Sequence, residues 1–259
     1  MNTNVYLDHN ASAPLRPEAI AAIESAMNTV GNGSSVHAGG RAARKIIEEA
    51  RSSVARLCST DTDTVTFTSG GTEANNLVLS GSGRSRVLIS AVEHPSVRDA
   101  RDDSLVIPVT SNGIVDLDAL EGMLKSAESP ALVSIMYANN ETGVIQPVEH
   151  VSELARRYGA LVHCDAVQAA GKIPLDVKSL GTHLMTVSAH KIGGPAGSGA
   201  LINVEGVELS PVFRGGGQEK KVRSGTENLI GIAGFGAAAE VVCQSELAEM
   251  AILRQWRDD

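Results

Sequence analysis

The sequence predicts an α/β fold, a mainly parallel seven-stranded sheet flanked by helices. Three observations carry that expectation. Short aliphatic runs recur at residues 65–67, 87–89, 105–109, 132–136, 161–164, 184–187 and 200–202, most without the polar alternation of a half-exposed strand. Helical patterns separate many of them, and strand–helix alternation over such a length implies a parallel sheet covered by helices. The 259 residues are 42% hydrophobic but only 3% aromatic, with 26 glycines, which calls for an aliphatic core and many tight turns.

Taken in order, residues 1–15 form an N-terminal segment expected to cross toward the ligand site or toward a further small domain, and 16–259 form one large domain. A helix follows Pro17 to about residue 27. A second runs over 41–57, with Ala42, Ala43, Ile46, Ile47, Ala50, Val54 and Leu57 on one face. Asp116 is placed to cap a helix over 116–124, and Pro147 opens another over 149–158. A long helical pattern from about 227 to 256 closes the chain, and Thr226 could cap it. There is no internal repeat and no low-complexity linker.

Several function classes are excluded early. The net charge is −8 with no strong basic run, which argues against nucleic-acid binding. No apolar stretch approaches the roughly 18 residues of a membrane span. With no apolar signal core at the N-terminus, the expected setting is cytoplasmic. Cys58, Cys164 and Cys243 are widely spaced without a CxxC pair, so neither a disulfide framework nor a metal site is expected.

Three motifs carry chemistry. Thr68-Ser69-Gly70-Gly71-Thr72-Glu73-Ala74-Asn75-Asn76 follows the first strand and opens a helix. Its glycines allow close backbone approach, and the helix N-terminus favours an anion such as phosphate; the bland reading is a tight capped turn. The P-loop spacing is absent. Ser188-Ala189-His190-Lys191 follows another buried strand, where a desolvated lysine becomes a nucleophile for carbonyls; the bland reading is a surface lysine in a Gly-rich loop. His163-Cys164-Asp165 ends a third strand, so Asp165 either faces the ligand crevice of a parallel sheet or caps a helix. A phosphate cradle, a strand-end lysine and a strand-end acid together fit pyridoxal 5'-phosphate, which needs a Schiff-base lysine and an acid facing its pyridinium nitrogen.

These motifs join others in an order that resembles the cysteine desulfurases, pyridoxal-phosphate enzymes of fold type I grouped with class V aminotransferases. The others are Tyr6-Leu7-Asp8-His9-Asn10-Ala11, Gly31-Asn32-Gly33-Ser34-Ser35-Val36-His37, Glu93-His94-Pro95-Ser96-Val97, Asn139-Asn140-Glu141-Thr142-Gly143 and Arg223-Ser224-Gly225-Thr226. The resemblance implies roles. Lys191 would hold the cofactor and shuttle protons. Asp165 would pair with the pyridinium nitrogen, and Gln168 would hydrogen-bond the ring's phenolic oxygen. His94 would lie over the ring and act as an acid–base group. Gly71, Thr72, Ser188 and His190 would bind the phosphate, and Asn140 would sit beside the ring oxygen and substrate carboxylate. Thr226 would reach the phosphate of a neighbouring subunit, making a homodimer with shared sites.

The implied reaction is conversion of L-cysteine to L-alanine, with sulfur passed to an acceptor protein for iron–sulfur cluster or thio-cofactor assembly. In the family a loop cysteine in a small C-terminal domain carries the sulfur, and the sequence ends before that region, so the chain alone is expected to be inactive. None of its own cysteines substitutes: Cys58 ends an amphipathic helix, Cys164 lies in the strand beside Asp165, and Cys243 is expected on a packed helix face. The alternatives are a selenocysteine lyase or other carbon–sulfur lyase of the same group, or a non-catalytic cofactor-binding or dimerising protein.

Overall fold

A computed structural model of the chain describes residues 5–259, so the first four residues of the N-terminal segment lie outside the described residues. Each of the seven aliphatic runs forms one strand: β1 (Val65–Thr68), β2 (Val87–Ser90), β3 (Leu105–Ile107), β4 (Leu132–Met136), β5 (Leu161–Asp165), β6 (Leu184–Ser188) and β7 (Gly199–Asn203). The helices are α1 (Pro17–Met27), α2 (Ala38–Leu57), α3 (Gly71–Gly81), α4 (Pro95–Arg98), α5 (Leu117–Lys125), α6 (Val148–Arg157) and α7 (Leu229–Asp258).

The strands make one sheet in the order β1-β7-β6-β5-β4-β2-β3. β3, β2, β4, β5 and β6 pair in parallel, while β7 is antiparallel to both β6 and β1. β1 therefore runs the same way as β6. Six C-terminal strand ends share one edge, and ligands of open α/β sheets gather along that edge.

Alternate strand residues enter two cores. Leu88, Val133, Ile135, Val162 and Val187 pack with α2, α5, α6 and α7, whereas Val87, Ile89 and Leu132 pack with Ala74, Leu77 and Val78 of α3. Phe235 of α7 is fully buried and meets the Phe67 ring edge-on at 6.3 Å between centroids. Burying a side chain of that size contributes about 2–3 kcal/mol, so α7 is fastened to the sheet by its first half.

Some local expectations need correction. The run at 105–109 stops at Ile107, because Pro108 has no N–H to donate to a ladder. Leu105 and Val106 are exposed on this edge strand, 40% and 54%, and are not buried on both faces. Ala42 points to solvent beside the buried Ala43. α2 begins earlier than its apolar stripe, at Ala38, where the His37 ring accepts from the Gly40 N–H. Asp116 does cap α5, accepting from Ala119 N at 3.0 Å. Asn228, not Thr226, caps α7, accepting from Gly231 N at 3.1 Å. Cys243 is exposed, not packed, because Val242 is the side chain that turns into the core at that point of α7. Among the described residues no helix is long and apolar enough to cross a membrane.

Candidate active site

At the end of β1 the chain turns through Gly70, at φ 145°, into α3. A side chain at Gly71 would place its Cβ 2.9 Å from Val167 Cγ2. Val167 is β-branched and cannot swing aside, so only glycine lets the α3 N-terminus sit against the turn after β5. Glu73 secures this corner by accepting from Ser69 N at 2.8 Å and from Arg223 Nε at 2.9 Å. Burial pushes the Glu73 carboxyl up, but those hydrogen bonds outweigh it and hold it below its ordinary value.

Asp165 ends β5 with only 6% of its surface exposed. Its Oδ1 accepts from Val167 N at 3.0 Å and its Oδ2 from Asn75 Nδ2 at 2.8 Å. Burial raises its pKa, opposed by those bonds and by the nearby Lys191 amine. Asn75 also donates to Ser96 Oγ at 2.9 Å, and Ser96 Oγ lies 2.8 Å from His94 Nδ1. His94 Nδ1 accepts from Ser96 N at 3.1 Å, so the ring proton belongs on Nε2. One hydrogen-bonded network thus runs from the buried acid through Asn75 and Ser96 to the exposed histidine.

At the end of β6, Ser188 Oγ lies 2.9 Å from His190 Nδ1. Lys191 follows in a 3-10 turn and donates to the carbonyls of Asn10 and Ala11. Burial lowers the Lys191 pKa, with Asp165 and Asp8 acting against it. The same desolvation, with a smaller push from Lys191, lowers that of His190. An amine and an imidazole held toward their neutral forms suit nucleophilic and hydrogen-bonding work.

These groups open on a cavity of about 700 Å³. Gly71, Thr72, His94, Asn140, Asp165, Gln168, Ser188, His190 and Lys191 all line it. Thr226 does not; it is exposed on the loop before α7. The N-terminal segment reaches the cavity through Asp8, Asn10 and Ala11. The sequence motifs contained Asn75, Ser96 and Asn10 but suggested no role for them. Asn75 could have been found from spacing, since it lies one helical turn after Gly71 on the face turned to Asp165.

The donor set fits pyridoxal phosphate. The buried Asp165 carboxylate has no salt-bridge partner among the described residues, as an acid awaiting a pyridinium N–H requires. The glycine at the α3 N-terminus, with the Ser188 hydroxyl and the His190 ring nearby, offers an anion cradle.

The model of the family described as aminotransferase class-V matches residues 5–255. The chain belongs to the class-V aminotransferase family. Its cofactor is accordingly pyridoxal phosphate. The chain is 39% identical over 270 residues to an IscS-like cysteine desulfurase of Mycobacterium tuberculosis, a match covering 98% of the chain and 69% of the relative. It is 42% identical over 269 residues to a cysteine desulfurase of Sinorhizobium fredii, covering 98% and 69%. A NifS-like protein from Rickettsia africae superposes with a TM-score of 0.89 at 40% identity, covering 93% of this chain and 69% of that one. The seven-stranded architecture is thus that of a family whose solved members share it.

Proposed function

We propose that the chain is a cysteine desulfurase that converts L-cysteine to L-alanine and passes the sulfur to an acceptor. The observation that carries this is the convergence of Lys191 and Asp165 on one cavity in a chain about 40% identical to cysteine desulfurases.

Bound pyridoxal phosphate supplies an electron sink for the bonds broken at the substrate's Cα and Cβ. The Lys191 amine attaches the cofactor and moves the proton at substrate Cα. The Asp165 carboxylate accepts the pyridinium N–H and keeps it protonated. Gln168 donates to the ring oxygen. His94, with its proton on Nε2, covers the ring and serves as acid–base group. The Gly71 and Thr72 amides and the Ser188 and His190 side chains hold the phosphate, and Asn140 orients the substrate carboxylate. In the net reaction the C–S bond breaks, its electron pair stays with Cβ, Cβ gains a proton, and the sulfur joins an acceptor thiol as a persulfide.

No cysteine of the chain lines the cavity. Burial, with a smaller push from Cys243, raises the Cys58 thiol to about 12, and burial beside Asp165 and Glu93 raises the Cys164 thiol well above its ordinary value. Neither forms the thiolate that sulfur transfer needs. The thiol that first takes the sulfur therefore enters from outside this cavity, as the family's loop cysteine does, and a sulfur-acceptor protein serving iron–sulfur cluster or thio-cofactor assembly receives it next. Thr226, exposed and not among the residues lining its own cavity, fits a homodimer in which each copy completes the other's phosphate site. Buried thiols at Cys58 and Cys164 suit the reducing cytoplasm.

The test is to incubate cofactor-loaded protein with L-cysteine and an excess of a small thiol. Alanine and sulfide formed in equal amounts support the reading. Turnover of L-selenocysteine alone would reassign the chain as a selenocysteine lyase. Failure to exchange the Cα hydrogen of L-alanine for deuterium would leave a non-catalytic cofactor-binding protein.

A further inference from the structure

Lys172 does not line the cavity, yet its ammonium reaches two groups that do. Its Nζ donates to Gln168 Oε1 at 2.5 Å and to Asn10 Oδ1 at 3.0 Å. Gln168 in turn donates from Nε2 to the Asn10 carbonyl at 2.9 Å. The backbone enforces this arrangement. Gly171 sits at φ 73°, and a Cβ there would come 2.8 Å from Ile192 Cγ2. That left-handed step, open to glycine and to few other residues, turns the chain back so that Lys172 meets the side chain four residues earlier.

The consequence is chemical. A glutamine amide can present either an acceptor or two donors to a neighbour, and nothing in its own shape decides which. A lysine ammonium has three donors and no acceptor, so the oxygen of Gln168 must face Lys172. The amide nitrogen is then turned the other way. One of its hydrogens goes to the Asn10 carbonyl, and the other is left for the cavity that Gln168 lines.

We propose that Lys172 is a positioning residue that fixes the Gln168 amide with its NH₂ toward the cofactor's ring oxygen. This rests on the reading of the cavity as a pyridoxal-phosphate site. With Lys172 in place, Gln168 meets a ring oxygen that carries negative charge only as a donor. Without it, the amide rotates freely and spends part of its time with its oxygen facing that charge. Burial, with a smaller push from Lys191, brings the Lys172 pKa down to about 8, as expected for an ammonium enclosed against the site.

The experiment is a pH titration of the visible absorbance of the cofactor-loaded protein, which reads the proton shared by the ring oxygen and Lys191. Lys172→Met keeps the aliphatic stem and removes the donors. It is expected to move the midpoint upward by roughly one pH unit, the tenfold effect of losing one hydrogen bond to a charged group. Lys172→Arg, which is also donor-only, is expected to restore most of the wild-type midpoint. The deciding comparison places Lys172→Met in a Gln168→Met background, where it is expected to cause little further shift. An equal shift in both backgrounds overturns the proposal, because Lys172 would then act through its charge alone. Wild-type protein showing no borohydride-reducible cofactor on Lys191 overturns the cofactor reading itself and this proposal with it.

Discussion

Asn75 donates from its amide to Oδ2 of Asp165 at 2.8 Å, while Oδ1 of the same carboxylate accepts from Val167 N. Both oxygens are thus committed to N–H donors, on a side chain only 6% exposed. Asp165→Asn cannot satisfy both, since one donor would face an NH₂ group. The variant loses the charge that keeps a pyridinium proton in place and also the geometry that aims the remaining oxygen. Removing a desolvated charge partner costs several kcal/mol, so Cα hydrogen–deuterium exchange of L-alanine is expected to slow by about 10²-fold or more. NMR of the recovered alanine measures it. An unchanged rate removes Asp165 from the mechanism.

Lys191→Ala is expected to abolish borohydride-trapped cofactor while leaving weaker, phosphate-anchored binding. The amine currently rests on the carbonyls of Asn10 and Ala11 and is therefore poised at the cavity wall. Peptide mapping of reduced wild-type protein is the measurement. A label on Lys172, the neighbouring amine, would show that the nucleophile has been misassigned.

Arg51 and Glu219 make a two-pronged buried ion pair, Nη2 to Oε1 at 2.7 Å and Nη1 to Oε2 at 2.9 Å. The pair also closes the open edge of β1: Arg51 donates to Val65 O at 3.0 Å, and Glu219 accepts from Phe67 N at 2.7 Å. Arg51 further lies 4.8 Å from the centre of the Phe67 ring. Glu219, Lys220 and Lys221 all have left-handed backbones, with φ of 40°, 58° and 66°, so this loop is held in place against its own preference. Arg51→Met strands a buried carboxylate and is expected to cost about 3–5 kcal/mol in urea unfolding. The double variant Arg51→Met, Glu219→Leu is expected to recover part of that loss. A single variant as stable as wild type would mean the pair is solvated in solution.

The strands were legible because each buried strand is an aliphatic run, and the strand-end motifs were legible because a lysine or acid there stands out against that run. β3 was read too long and too buried, since nothing in Leu105-Val106-Ile107 says that the strand lies at the sheet's edge. The cap of α7 was misplaced because Thr226 and Asn228 are both good caps and only the backbone path chooses between them. Asn75, Asn10 and Lys172 were missed for a different reason. Each acts through a partner far away in sequence or across a turn, and no local pattern encodes that meeting.

Glu93 supplies a test of pH dependence. It is buried just after β2, where Oε1 accepts from Ser90 Oγ at 2.5 Å and from Met136 N at 2.7 Å, while Oε2 has no partner among the described residues. Burial, with a smaller push from Asp165, lifts its pKa from 4.5 to about 8, against the two hydrogen bonds. Between those values the folded protein keeps a proton that the unfolded chain gives up. The stability from the neutral carboxyl is therefore fully present below 4.5 and is lost as pH rises through about 8. Glu93→Gln keeps the Oε1 acceptor and has no charge to uncover. Its Nε2 lacks a partner where Oε2 stood, which costs about 1–3 kcal/mol at every pH. The offset between the two proteins is thus uninformative, and the slope decides. The variant is expected to gain on wild type by a few kcal/mol, on the order set by the shift, as pH rises from 4.5 to 8. Urea midpoints of both proteins across that range measure it, and parallel curves would mean that Glu93 is already ionised in the folded state.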